Sequence, residues 1–119
     1  METPKIFESE YRFMQVLWEN EPINSTKLVV LCKETLGWSK ATTYTVIRRL
    51  SERGVLVNQD TIVKSLINRE DVQAAEIDEL VEKTFNGSLP QFITAFSKRK
   101  KLNKEEIELL RKMIDKYEE

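Results

Sequence analysis

The chain has 119 residues, 40% of them hydrophobic, and its 19 Lys and Arg against 20 Asp and Glu leave a formal net charge of −1, which suits one domain or a small domain with an appendage. One cysteine, Cys32, and no histidine exclude an internal disulfide, His-dependent catalysis and the ordinary zinc ligand sets. Gly37, Gly54 and Gly87 are too scattered to cradle a phosphate, and no apolar run approaches the roughly 18–20 residues of a membrane span. The opening METPKIFESE does not read as a signal peptide. These features predict a soluble, reduced, cytoplasmic protein with no metal, no cofactor and no membrane insertion, and not an enzyme. Near-neutral charge argues at first sight against a nucleic-acid partner.

The first predicted helix spans Ser9 to Glu19, with Phe13/Leu17 and Met14/Trp18 at i,i+4. Glu21-Pro22 ends it, because a residue before proline avoids the helical region. A second helix is expected over Ser25–Leu36, with Asn24 as N-cap, Ile23 and Leu28 as a hydrophobic staple and Gly37 as the stop. A third follows the N-cap Ser39 and runs to Glu52 or Arg53, closed by Gly54. The period then changes. Val55-Leu56-Val57 and Thr61-Ile62-Val63, joined by Asn58-Gln59-Asp60, predict a small β-hairpin whose second strand Ser65-Leu66-Ile67 could extend. Asn68 caps a fourth helix that continues to Phe85, where Asn86-Gly87 breaks it. Ser88-Leu89-Pro90-Gln91 is a capping box opening the fifth helix. The sixth starts at Asn103, with Glu106 at its third position, and runs to Tyr117. Glu105 and Glu106 read as helix-start residues favoured by the dipole, which leaves a carboxylate-only hydrolase without support.

Three helices, a hairpin and three more helices define the expected fold class: mostly α with a small β-hairpin. The pattern is an N-terminal winged helix-turn-helix over residues 1–70, followed by a helical dimerisation domain over residues 71–119. A generic helical bundle with an incidental hairpin is the competing architecture.

Charge by segment reverses the first impression. Residues 1–37 are net −2 and residues 70–119 net −3. Residues 38–69 carry Lys40, Arg48, Arg49, Arg53, Lys64 and Arg69 against only Glu52 and Asp60, net +4. Projected at about 100° per residue, the third helix puts Thr43, Val46, Ile47 and Leu50 on one face. Ala41, Tyr44, Thr45, Arg48 and Glu52 fall on the other, with Lys40 and Arg49 near its margins. That outward face suits a major groove. Ala41 admits close approach to a thymine methyl, Tyr44 and Thr45 can bond base edges or phosphates, and Arg48 can grip guanine with two hydrogen bonds. Ser39, Thr42 and the free N–H groups at the helix start suit a phosphate oxygen. The second basic stretch, Lys98-Arg99-Lys100-Lys101, reads as a solvated loop between acidic helices.

Phe92, Ile93 and Phe96 on the fifth helix, and Ile107, Leu109, Leu110, Met113, Ile114 and Tyr117 on the sixth, are apolar at helical spacing. Helices this short cannot bury so many large side chains by themselves. A second copy would supply the missing surface, giving a homodimer and hence a pseudo-palindromic site on double-stranded operator DNA. The alternative is that these helices fold back on the first domain.

These motifs resemble the penicillinase and methicillin-resistance repressors (the BlaI/MecI family) over nearly the whole length. Ser9-Glu10-Tyr11, Val16 and Trp18 are similar to the family's S-x-x-E-x-x-V-x-x-x-[IVL]-W. The run Trp38-Ser39-Lys40-Ala41-Thr42-Thr43-Tyr44-Thr45-Val46-Ile47-Arg48-Arg49-Leu50 to Gly54 follows its W-S-x-x-T-[VI]-x-T-x-[IVL]-x-R-L-x-x-[KR]-G. Leu102 to Leu110 look like its L-[ST]-x-[DE]-E-[IL]-x-x-L helix. The resemblance implies a homodimeric winged-helix repressor of β-lactam-resistance or related genes. It implies as partners an inverted-repeat operator and a membrane sensor with a zinc-protease domain, which cleaves the repressor in its dimerisation region. By register the cut falls at Ala95-Phe96, although many members have asparagine where this chain has Ala95. The hairpin is about four residues shorter than the family's wing and lacks its lysines and aromatic residues, which implies weaker, less salt-sensitive binding or more reliance on the third helix. Paired Cys-x-Cys motifs of copper-responsive relatives are missing. A winged helix turned to protein–protein contact, with weak or lost DNA binding, is the alternative function.

Overall fold

The computed structural model describes residues 3–99 and 101–117; Lys100 of the second basic stretch lies outside them. The order is α1 (Glu8–Asn20), β1 (Ile23–Asn24), α2 (Ser25–Leu36), α3 (Lys40–Glu52), β2 (Leu56–Gln59), β3 (Ile62–Ser65), α4 (Arg69–Phe85), α5 (Leu89–Arg99) and α6 (Lys104–Tyr117). The chain divides into two compact units inside α4, between Glu76 and Ile77.

In the first unit the helix ends follow the capping chemistry of the sequence. Asn24 Oδ1 accepts from Thr26 N at 2.8 Å and Ser39 Oγ from Thr42 N at 3.1 Å. Gly37 stops α2 at φ 73°, a conformation without steric cost only for glycine. At the end of α3, Val55 N donates to Leu50 O and Gly54 N to Ser51 O, the paired bonds of a Schellman stop with Gly54 at φ 78°. Glu21, before Pro22, is extended as expected.

The sheet departs from the sequence reading in three ways. The hairpin turn is Asp60-Thr61, both at positive φ, and not Asn58-Gln59-Asp60, because Asn58 and Gln59 pair with Val63 and Ile62 inside the ladder. Leu66 and Ile67 fall outside β3. A third strand, invisible to the hydrophobic pattern because it is two residues long, adds Ile23 opposite Val63 and Asn24 opposite Ile62, so the order is β1-β3-β2. One step further on, where β1 has ended, the Glu21 carboxylate takes over: Ser65 N donates to it at 2.7 Å.

The core of this unit is closed. Phe13, Met14 and Leu17 of α1, Leu28 and Cys32 of α2, Ile47 and Leu50 of α3, and Val55, Leu56 and Val63 around the hairpin form one buried cluster. Phe13 stacks on Trp38, with ring centroids 6.0 Å apart. Trp18 satisfies its indole N–H on Ile67 O at 3.0 Å.

In the second unit the expected helix starts also form. Gln91 N donates to Ser88 Oγ, and Asn103 and Glu106 exchange two bonds, Glu106 N to Asn103 Oδ1 at 2.8 Å and Asn103 N to Glu106 Oε1 at 3.2 Å. Burial does not follow. Among the described residues no side chain of α5 or α6 is buried.

Candidate nucleic-acid interface

Helices α2 and α3, joined by Gly37–Ser39, form the helix-turn-helix, and the hairpin follows α3 directly. Thr43, Val46, Ile47 and Leu50 anchor α3 in the core, as the 3.6-residue period requires. Ser39, Lys40, Ala41, Thr42, Arg48 and Arg49 are exposed together along its other side, and Thr45 is half-buried among them. Lys40 and Ala41 present backbone N–H groups ahead of the first bond of the helix ladder, a natural anion site.

Three assignments change in detail. Tyr44 does not stand on the outward face. It packs half-buried against the core, its hydroxyl 3.4 Å from Ser25 Oγ at the start of α2, since a flanking position with so long a side chain can reach the neighbouring helix. Ser39 spends its hydroxyl proton on Thr42 Oγ1 at 3.0 Å, so its main contribution is to hold the helix start in place. Two of the six cations counted in residues 38–69 are committed inside the fold. Arg69 lies 3.7 Å from Glu19 and over the Trp18 ring. Arg53 pairs with the buried Glu10, donates to Lys5 O at 3.0 Å and sits over the Phe7 ring. The exposed positive charge therefore narrows to Lys40, Arg48, Arg49 and Lys64.

Sequence reasoning missed the Arg53 strap and the tether at the hairpin tip. Thr61 O accepts from Ser25 N at 2.7 Å, and Thr61 Oγ1 from Asn24 Nδ2 at 3.2 Å. A threonine at φ 66° is costly in isolation, and these two bonds hold it there. Glu10, read in the sequence only as part of the family motif, closes the start of α1: its Oε1 accepts from Phe7 N at 2.9 Å. Nothing local signalled its second bond, to a residue 43 positions away.

In the second unit the expected dimerisation residues remain open to solvent. Phe96 is 43% exposed, Leu110 43%, Met113 53% and Ile114 59%; Ile107 is likewise exposed and Phe92 half-buried. Phe92 and Phe96 line an open apolar groove between α4 and α5 with Leu80, Phe85 and Ala95. Ala95 and Phe96, where the resemblance puts the cut, lie inside α5.

A closed three-helix core, a three-stranded sheet ending in a hairpin and an exposed polar face on the third helix define a winged helix-turn-helix protein. The comparisons with known proteins give its family. The penicillinase repressor family matches residues 6–116, and the chain belongs to that family of DNA-binding transcriptional repressors, not enzymes. It is 24% identical to the penicillinase repressor of Bacillus licheniformis over 96% of this chain and 92% of that one. The methicillin resistance regulatory protein MecI of Staphylococcus aureus (strain Mu50 / ATCC 700699) is also 24% identical, over 96% of each chain. The solution structure of monomeric B. licheniformis BlaI in complex with the blaP half-operator superposes with a TM-score of 0.51 and 26% identity. It covers 59% of this chain and 90% of that one.

Proposed function

We propose that the protein represses transcription as a homodimer on a pseudo-palindromic operator, residues 1–70 binding DNA and residues 71–119 joining the two copies. The observation that carries the reading is the exposed row on α3 set on a winged frame, in a family one of whose members is solved on half an operator. The start of α3 takes a phosphate on the Lys40 and Ala41 N–H groups, with Thr42 and Lys40 at its sides. Ala41 and Thr45 face base edges, Arg48 grips guanine, and Arg49 and Lys64 hold flanking phosphates. Tyr44 acts by fixing α3 against α2.

Dimerisation is supported by the exposure of Phe96, Leu110, Met113 and Ile114, since a monomer would leave these large apolar side chains wet. On this reading the target genes are those of β-lactam resistance or a related response, and a membrane sensor-protease relieves repression by cutting the cytoplasmic repressor at Ala95-Phe96. That bond sits mid-helix, so cleavage requires α5 to unwind first. No helix among the described residues is long and apolar enough to cross a membrane. A mobility shift on duplexes drawn from an inverted-repeat library, at two salt concentrations, tests the core of the proposal. A single dimer-sized complex that weakens with salt is expected; no shift at low salt would leave only a protein–protein role.

A further inference from the structure

Ala41, Thr45, Arg48 and Glu52 recur at helical spacing down the outward face of α3. The last two are linked: Arg48 Nη1 lies 3.8 Å from Glu52 Oε1, with both side chains 65% exposed. A pair so open to water adds little to the stability of the fold. Glu52 is also the only acid on α3 and one of two in residues 38–69. It places a carboxylate on the one helix face that the proposed function sets against a polyanion.

We propose that Glu52 is a specificity-determining residue, which orients Arg48 for a guanine and penalises any complex in which α3 rests on phosphates alone. This deepens the reading of α3 as the recognition helix and rests on it. The guanidinium has five donors in a rigid fork. A carboxylate near Nη1 leaves the other edge of the fork to meet guanine O6 and N7. Glu52 itself can accept from a major-groove amino group, most typically the cytosine N4. Where the base pairs match, Arg48 and Glu52 are both satisfied as water leaves the groove. Where they do not, the carboxylate faces phosphate charge in a less polar medium with nothing to offset it. The cost falls on mismatched and random duplexes, so specificity rises while maximal affinity does not.

The test is E52Q, which keeps the size and removes the charge. Binding of the full chain is measured by fluorescence anisotropy on two duplexes: one selected by the unaltered protein from a randomised inverted-repeat library, and a scrambled version of it. The scrambled duplex is expected to bind E52Q about 3–10-fold more tightly while the selected one changes by less than about twofold, so the ratio falls. In the R48A background the same change should leave the ratio where R48A alone puts it, because the two residues act as one unit. Equal gains on both duplexes would overturn the proposal in favour of bulk charge, and no change on either would make Glu52 a solvated helix residue. If the unaltered protein selects no duplex, the recognition-helix reading fails and this proposal with it.

Discussion

In the winged unit Phe13, Met14, Leu17, Leu28 and Leu50 are shut away from water, whereas in the second unit Ile93, Leu109, Met113 and Ile114 each stand more than half exposed. Helix capping does not separate the two, since Asn24, Ser39, Ser88 and Asn103 all cap as their sequence predicts. What separates them is whether the apolar faces find partners within the same unit. Caps decide where a helix begins at about 1 kcal/mol each; burial decides whether it has somewhere to go, at several kcal/mol for a few large side chains. The first unit's stability should therefore be its own, and the second unit's should depend on protein concentration.

The sharpest way to break this contrast is Phe96→Asp. A charge in the α4–α5 groove should leave the protein monomeric in sedimentation and lower affinity for an inverted repeat by about 10²–10⁴-fold, the gain that linking two binding modules provides. Binding to a half-site should change little. A dimeric variant would place the interface elsewhere. Next is Arg53→Met, which strands the buried Glu10 carboxylate. Removing one partner of a buried pair costs several kcal/mol, and with Arg53 partly in solvent we expect about 2–3 kcal/mol off the denaturant stability of the winged unit, with the sedimentation behaviour unaltered. Replacing Glu10 by Gln in that background should recover part of the loss, because no bare charge remains.

Arg53 also shows where sequence reading stops. Segment counting gave residues 38–69 a charge of +4, and that sum holds, but it treats every arginine as surface. The winged topology, the caps and the core face of α3 all follow from local rules: period 3.6, glycine at positive φ, a polar cap before an apolar run. Arg53 to Glu10, Arg69 to Glu19, Tyr44 to Ser25 and Thr61 to Asn24 are long-range pairings that no local pattern encodes; they commit two cations of the segment count inside the fold and take one aromatic residue off the expected DNA face. The strand β1 was illegible for a different reason. Two residues carry no period, and Ile23-Asn24 read equally well as a staple and cap, which they also are.

A change confined to the proposed interface comes next in size. Arg48→Ala should reduce affinity for a selected duplex by about 1–3 kcal/mol and relax the preference at one base pair per half-site, leaving melting temperature and dimerisation as they are. The loss should appear in the ratio of selected to random binding; an equal loss on both would make Arg48 a phosphate contact.

The smallest expected effect probes how tightly the winged core is closed. Cys32 has no exposure to solvent, and burial pushes its thiol pKa up to about 11, with a hydrogen bond to Thr43 opposing the shift. An unfolded chain loses this proton near the ordinary cysteine value and the folded chain only near 11, so between those values the unfolded state is favoured. The thiol's contribution is thus fully present below the unfolded value and is lost progressively as pH rises towards 11. Stability measured by denaturant should fall across that range by more than it does for Cys32→Ala, whose own cost is a pH-independent cavity. At neutral pH, labelling of Cys32 by a thiol reagent should follow the opening of the winged unit and be insensitive to Phe96→Asp. Labelling that instead quickened in the monomeric variant would mean that closure of the core depends on the second copy, and the contrast between a self-contained unit and one in need of a partner would have to be withdrawn.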